Sequence, residues 1–221
     1  MQDLLDFSDD TVVVGGGASG IGRGTAREFA DAGASVVVAD IDEEAGRAAA
    51  EEIADDLGAQ AEYVSTDVGD YAACEELIAT VADEFDGVDV LVNAAARTNF
   101  VAKLRPFREQ EPDDWDPELR VTFMGIVNTT HLVLPHMVKQ GSGAVVNFTS
   151  TSRRGQDPNH MMGEELHLTM YAAMKAAVST FTCSLAKEVG EHGVRLNAIA
   201  RARRSRRTSG RSCPRTAKRR C

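Results

Sequence analysis

A chain of 221 residues with a hydrophobic fraction of 43% can build one well-packed domain, and aromatics at 5% leave that core to Val, Ala, Leu and Ile. The net charge of −10 hides a split: residues 201–221 hold ten Arg or Lys and no acid, so residues 1–200 carry all 34 acids against 14 bases, a net −20. Such a body repels polyanions and argues against a nucleic-acid-binding domain.

The elements follow in alternation. "TVVVGGG" (11–17) reads as a short β-branched strand ending in glycines, and helical periodicity runs from Ile21 to Asp31. "GASVVVAD" gives a second buried strand ending at Asp40, and "EEAGRAAAEEIADDLG" a helix with acids in its first turn and Gly58 at its stop. A third strand lies near "AEYVST", followed by a helix over Tyr71–Phe85 and a buried strand "VDVLVNAAA". A long helix is predicted over Trp115–Met137, then a strand "GAVVNFTS", a helix over Met170–Glu191 and a strand opening "GVRLNAIA". Continuously apolar strands separated by helices predict a Rossmann-type α/β fold, a doubly wound parallel sheet covered on both faces. The stretch Arg153–Leu168 breaks the rhythm with Gly, Pro and Asn and reads as a substrate-side loop.

Four cysteines, Cys74, Cys183, Cys213 and Cys221, form neither a metal-ligand cluster nor a disulfide framework. No metal site is expected: His160, His167, Glu164 and Glu165 lack a ligand spacing. The acidic start and the absence of a long apolar run predict a cytoplasmic protein with no membrane segment.

Gly16, Gly20 and Gly22 form GxxxGxG after the first strand and at the opening of a helix. Glycines turn sharply and let backbone approach a pyrophosphate, and the helix N-terminus supplies free N–H groups for that anion. Asp40, at the tip of the second strand, can accept both hydroxyls of an adenosine ribose and would repel a phosphate there, so NAD is expected rather than NADP. Tyr171 and Lys175 are four apart on one predicted helix and can face one site. A phenol with its usual pKa of ~10 is a poor base at neutral pH, and an adjacent ammonium stabilises its phenolate.

Taken together, Gly16–Gly22, Asp40, Asp67, Asn93–Ala96, Ser150 and Tyr171-x-x-x-Lys175 resemble the classical short-chain dehydrogenase/reductase family over about residues 10–200. The resemblance implies a nicotinamide cofactor held by Gly16, Ser19, Gly20, Ile21 and Gly22, by Asp40 and Ile41, by Asp67 and Val68 beside the adenine, and by Asn93, Tyr171 and Lys175. It implies Tyr171 as acid/base, Lys175 on the nicotinamide ribose, Ser150 on the substrate oxygen, and a homodimer or homotetramer. Four positions depart from the family pattern, the first being Gly15, where threonine is common. Ala94 and Ala96 replace an amide and a glycine, and Thr122 stands where an asparagine usually supports a water-linked proton route.

Beyond Ala200 the family's proline-glycine pair is replaced by an Arg/Ser-rich run, read as a disordered basic tail over 201–221 that leaves the sheet without its last strand. A shifted coding frame near Ala200 accounts for this abrupt change better than a nucleic-acid arm does. The expected activity is NAD-dependent transfer of hydride between the cofactor and a secondary alcohol or ketone. The alternative is a catalytically weak nucleotide-binding or regulatory protein.

Overall fold

A computed structural model describes residues 6–85, 87–97, 106–154 and 168–201. Six strands form one parallel sheet in the order β3-β2-β1-β4-β5-β6: β1 Thr11–Gly15, β2 Ser35–Asp40, β3 Ala61–Ser65, β4 Val90–Asn93, β5 Gly143–Ser150 and β6 Val194–Arg201. The order reverses between β1 and β4, so their carboxyl ends diverge into a crevice, the position at which doubly wound sheets bind ligands. The expected Rossmann-type architecture is the observed one.

Val12, Val13 and Val14 on β1 are each 0% exposed, and so are Val36, Val37 and Val38 on β2. Burial on both faces explains why these strands read as unbroken apolar runs, and each valine contributes roughly 1.5–3 kcal/mol relative to exposure. Two cores result. Val12, Val14, Val36 and Val38 pack under α1 (Gly20–Asp31) and α2 (Glu43–Leu57) with Ala26, Ala49 and Ile53. Val13, Val37, Leu91 and Val145 pack on the other face with Leu77 of α3 (Tyr71–Glu84) and Met137 of α5 (Gly125–Gln140).

Local signals fix the helix ends. The Asp42 carboxylate accepts the Ala45 N–H at the start of α2, and Gly58 ends it at φ +66°. The Asp70 carboxylate caps α3 in the same manner by accepting from Ala72 N–H.

The expected helix over Trp115–Met137 is helical throughout and longer at both ends, with a wide turn dividing it into three contiguous segments. They are α4 (Pro112–Leu119), a π-helical turn (Arg120–Met124) and α5. Pro112 suits a first helical position, and the Asp114 carboxylate accepts the Glu111 N–H, which moves the start upstream of Trp115. A π-helical turn holds one residue more than an α-turn and involves only five residues here, too short a stretch for the helical pattern of the whole segment to reveal. β4 is shorter than expected because Ala94–Arg97 leave the ladder to pass the glycine turn. The final helix, α6, spans Thr169–Val189 and closes in a 3-10 turn over Gly190–His192.

β6 runs one residue past the expected end, pairing Arg201 with Ser150, and is the last strand of the sheet among the described residues. Ile199 on it is 49% exposed. The basic tail, apart from Arg201, and most of the 153–168 loop lie outside the described residues.

Candidate active site

The β1–α1 turn is built around close contact. Gly16 has φ +80°, and a Cβ there would come within 2.4 Å of Ala95 N. A Cβ on Gly22 would fall 2.0 Å from the Gly16 carbonyl oxygen, so α1 can approach the turn only without a side chain. Gly20 has φ +56°, yet a Cβ there would meet nothing within 4 Å. That open side is where a pyrophosphate can come up to the backbone, at the N-terminus of a twelve-residue helix. Ser19 is the N-cap, exposed, and its hydroxyl makes no capping bond. The residues therefore fit a dinucleotide: two glycines close the turn and a third leaves room.

Asp40 stands beside this turn at the end of β2. Its Oδ2 accepts the Ala18 N–H at 3.0 Å and its Oδ1 the Asp42 N–H at 3.2 Å. The carboxylate thus fastens the glycine turn to the second strand while remaining half-buried at its edge. Ile21 and Ile41, at 42% and 68% exposed, offer apolar surface at the same end of the sheet. Asp67 accepts the Gly69 N–H through Oδ1, and its Oδ2 pairs with Arg120 at 3.0 Å. Val68 is buried against Gly15 and Gly125, and its carbonyl accepts the Asn128 amide at 3.0 Å.

Asn93, 4% exposed, ends β4 inside a buried polar network. Its amide nitrogen donates to Asn147 Oδ1 at 2.9 Å and its carbonyl oxygen accepts from Thr129 Oγ1 at 2.8 Å. Asn147 donates onward to Thr182 on α6 at 2.9 Å. Each buried polar group so paired escapes a desolvation penalty, and the chain β4–β5–α6 fixes the central strands to the helix that carries Tyr171.

At the tip of β5, Ser150 is 8% exposed and its Oγ lies 3.2 Å from Ser152 Oγ. Thr149 points the other way, as strand alternation requires. Its hydroxyl donates to the Lys175 carbonyl at 2.6 Å and meets Ser179 Oγ at 3.1 Å, pinning α6 to β5. Tyr171 is half-buried one turn before Lys175. Lys175 is 3% exposed, and its Nζ donates to the Phe148 carbonyl at 2.7 Å. Burial pushes the Lys175 ammonium down to about 8, opposed by the Glu118 carboxylate.

Thr122 is fully buried in the π-helical turn, where its Oγ1 accepts the Arg97 N–H at 3.3 Å and lies 3.4 Å from the Arg97 carbonyl. The fold therefore brings Ser150 and the Lys175 ammonium to the end of β5, sets Tyr171 one turn before Lys175 on α6 and Thr122 against Arg97 beyond β4, and lines the glycine turn, Asp40 and Asp67 along the tips of β1 to β3. Sequence reasoning missed Glu118, Arg120, Asn147 and the Phe148 carbonyl. Glu118 alone left a signal, an acid spaced one turn from Thr122. His160, His167, Glu164 and Glu165 lie outside the described residues, and no metal-ligand cluster occurs among those described. No helix among them is long and apolar enough to cross a membrane.

A parallel sheet reversing at β1/β4, a glycine turn open at Gly20, and a Tyr-x-x-x-Lys helix packed on β5 give the doubly wound architecture of the dinucleotide-binding class. The short chain dehydrogenase family model matches residues 10–203, and the chain belongs to that family. It is 35% identical over 193 residues to Oxidoreductase UcpA of Salmonella typhimurium, covering 86% of this chain and 67% of that protein. It is 33% identical over 188 residues to the 3-oxoacyl-[acyl-carrier-protein] reductase FabG of Thermotoga maritima, covering 85% of this chain and 71% of that one. Among solved structures, a short-chain dehydrogenase/reductase from Mycobacterium marinum superposes with a TM-score of 0.81 at 25% identity, over 90% of this chain and 76% of that chain. A 7 alpha-hydroxysteroid dehydrogenase complexed with NADH and 7-oxo glycochenodeoxycholic acid does so at 0.77 and 29% identity, over 90% and 73%.

Proposed function

We propose that this protein is an NAD-dependent oxidoreductase that interconverts a secondary alcohol and its ketone, with Tyr171 as acid/base. The observation that carries the reading is the Tyr171–Lys175 pair on α6, a helix clamped to β5 by Thr149, with the Lys175 Nζ held on the Phe148 carbonyl. A bound nicotinamide would supply the hydride acceptor or donor.

The chain's own residues handle the proton. In the oxidative direction Tyr171 Oη, as phenolate, takes the proton from the alcohol oxygen, and in reduction the phenol returns it to the forming alkoxide. The Lys175 ammonium lowers the cost of the phenolate by placing a positive charge nearby in a poorly hydrated pocket. Ser150, at the strand tip, orients the substrate oxygen through its hydroxyl. The glycine turn and the N-terminus of α1 take the pyrophosphate, and Asp67 with Val68 borders the adenine.

Asp40 supports NAD over NADP. An ionised carboxylate at the tip of β2 accepts ribose hydroxyls and repels a phosphate ester placed there. In a fluorescence titration, NADH should bind at least about tenfold more tightly than NADPH, and Asp40→Ala should narrow the gap. The reverse order in the unaltered protein would remove this role. Tyr171→Phe should lower turnover by about 100-fold or more while leaving cofactor affinity within twofold. Tight NADH binding without turnover across a panel of secondary alcohols and ketones would favour the second reading, a weak or regulatory nucleotide-binding protein, to which Thr122 points.

Assembly into two or four copies in the cytoplasm belongs to the same proposal, and light scattering on the purified chain measures the copy number.

A further inference from the structure

Arg120 opens the π-helical turn, and its side chain lies across the loop that follows β3. Asp67 begins a tight turn in that loop: its backbone carbonyl accepts the Asp70 N–H at 2.9 Å, and its Oδ1 accepts the Gly69 N–H at 2.9 Å. Two contacts place this turn at the carboxyl end of the sheet, next to the glycine turn. The Thr66 N–H donates to the Asp40 carbonyl at 2.9 Å, and a Cβ on Gly15 would lie 3.7 Å from Val68 Cγ1. The other Asp67 oxygen, Oδ2, is taken by Arg120 Nη2 at 3.0 Å. A Cβ on Gly69 would fall 2.9 Å from Arg120 Cγ and 3.1 Å from its Cζ. Gly69 has no left-handed φ, so room for Arg120 is what its missing side chain provides. The side chains are 26% exposed at Asp67 and 47% at Arg120, so the ion pair acts through orientation more than through stability.

Resting on the functional reading above, we propose that Arg120 is a positioning residue for the adenine end of the cofactor: paired with Asp67 and seated on Gly69, it fixes the direction of that carboxylate and so sets how strictly the base is read. An ionised carboxylate accepts about four hydrogen bonds, and Gly69 and Arg120 use two of them. The lone pairs left over point in set directions as long as both oxygens are held. A 6-amino group on the base donates to such an acceptor, whereas a 6-oxo group meets it acceptor to acceptor. The guanidinium also offsets the negative charge of Asp67, which would otherwise add to the repulsion between the acidic body and the phosphates of a dinucleotide. Without Arg120 the carboxylate is held by the Gly69 N–H alone and turns toward water.

The probes are NADH and its hypoxanthine analogue, which carries a 6-oxo group on the base and the same reduced nicotinamide, so one fluorescence titration reads both. The unaltered chain should bind NADH about tenfold more tightly than the analogue. In Arg120→Gln that ratio should fall to about threefold or less, and Arg120→Lys, which keeps the charge, should restore it in part. Gly69→Ala keeps the guanidinium but pushes it off the turn, and should lower the ratio as Arg120→Gln does. Equal affinity of the unaltered chain for the two dinucleotides would overturn the proposal, and that measurement needs no variant to fold. The unaltered ratio kept in either Arg120→Gln or Gly69→Ala would overturn it as well. A structural role alone predicts that outcome, with both dinucleotides weakened by one factor. If the unaltered chain binds neither NADH nor NADPH, the functional reading fails and the role of Arg120 with it; NADH binding without discrimination of the base removes the role of Arg120 and leaves that reading standing.

Discussion

Lys175 carries an ammonium into a place that little water reaches, and its folded-state proton is held less firmly than in the open chain. Burial lowers it from 10.5 to about 8. Below about 8 both folded and unfolded chains hold the proton, and the cost of burying the charge is fully present. Between about 8 and 10.5 the unfolded chain binds a proton that the native state has released, so the contribution of this group to stability rises with pH. Urea unfolding at either end of that window should show this rise in the parent protein and lose it in Lys175→Met. An equal pH slope in both would mean that Lys175 is not buried as a charge. Two neighbours fix its place: the Phe148 carbonyl accepts from the Lys175 ammonium, and the Thr149 hydroxyl clamps the Lys175 carbonyl on the same helix turn.

At the scale of an element, α1 separates two glycines that look alike in sequence. A Cβ on Gly22 would collide with the Gly16 carbonyl at 2.0 Å, a backbone group that cannot step aside without opening the glycine turn. A Cβ on Gly24, exposed on the same helix, would meet nothing within 4 Å. Gly22→Ala should therefore destabilise by about 1–3 kcal/mol and weaken NADH binding. Gly24→Ala should stabilise by about 0.5–1 kcal/mol, because the unfolded chain loses freedom and the helix gains propensity. Denaturant midpoints of opposite sign would verify the packing of α1 on its turn; two destabilised variants would contradict it. The salt bridges between α1 and α2, Arg23–Glu52 and Arg27–Asp56, are exposed and add little beyond orientation.

The whole molecule is governed by charge as well as by its core. Residues 1–200 carry a net −20, and the ten bases that partly offset it are confined to 201–221. Self-repulsion of the acidic body weakens the compact state, and salt screens it. Raising KCl from about 0.05 M to about 0.5 M should raise the thermal midpoint by about 2–5 °C. A midpoint that falls over that range would show ion pairs, not repulsion, to dominate. The last strand, β6, adds a second liability, since Ile199 lies 49% exposed on the terminal strand of the described sheet. Terminal strands with apolar surface invite pairing with other chains, so Ile199→Lys should slow aggregation without lowering the thermal midpoint.

What the sequence by itself determined was the architecture and the glycine turn. Strand and helix patterning depends on neighbours a few residues away, and the GxxxGxG spacing acts within one β–α unit, so both are written locally. Asp40 at the tip of β2 and the four-residue step from Tyr171 to Lys175 were legible for the same reason. Only the tertiary structure decided that the predicted long helix widens into a π-turn, that Asn93 joins Asn147 and Thr182 across two strands and a helix, and that Lys175 is buried with its ammonium on the Phe148 carbonyl. Those pairs are separated by tens of residues, and the desolvation that gives them their effect exists only once β4, β5 and α6 have packed together.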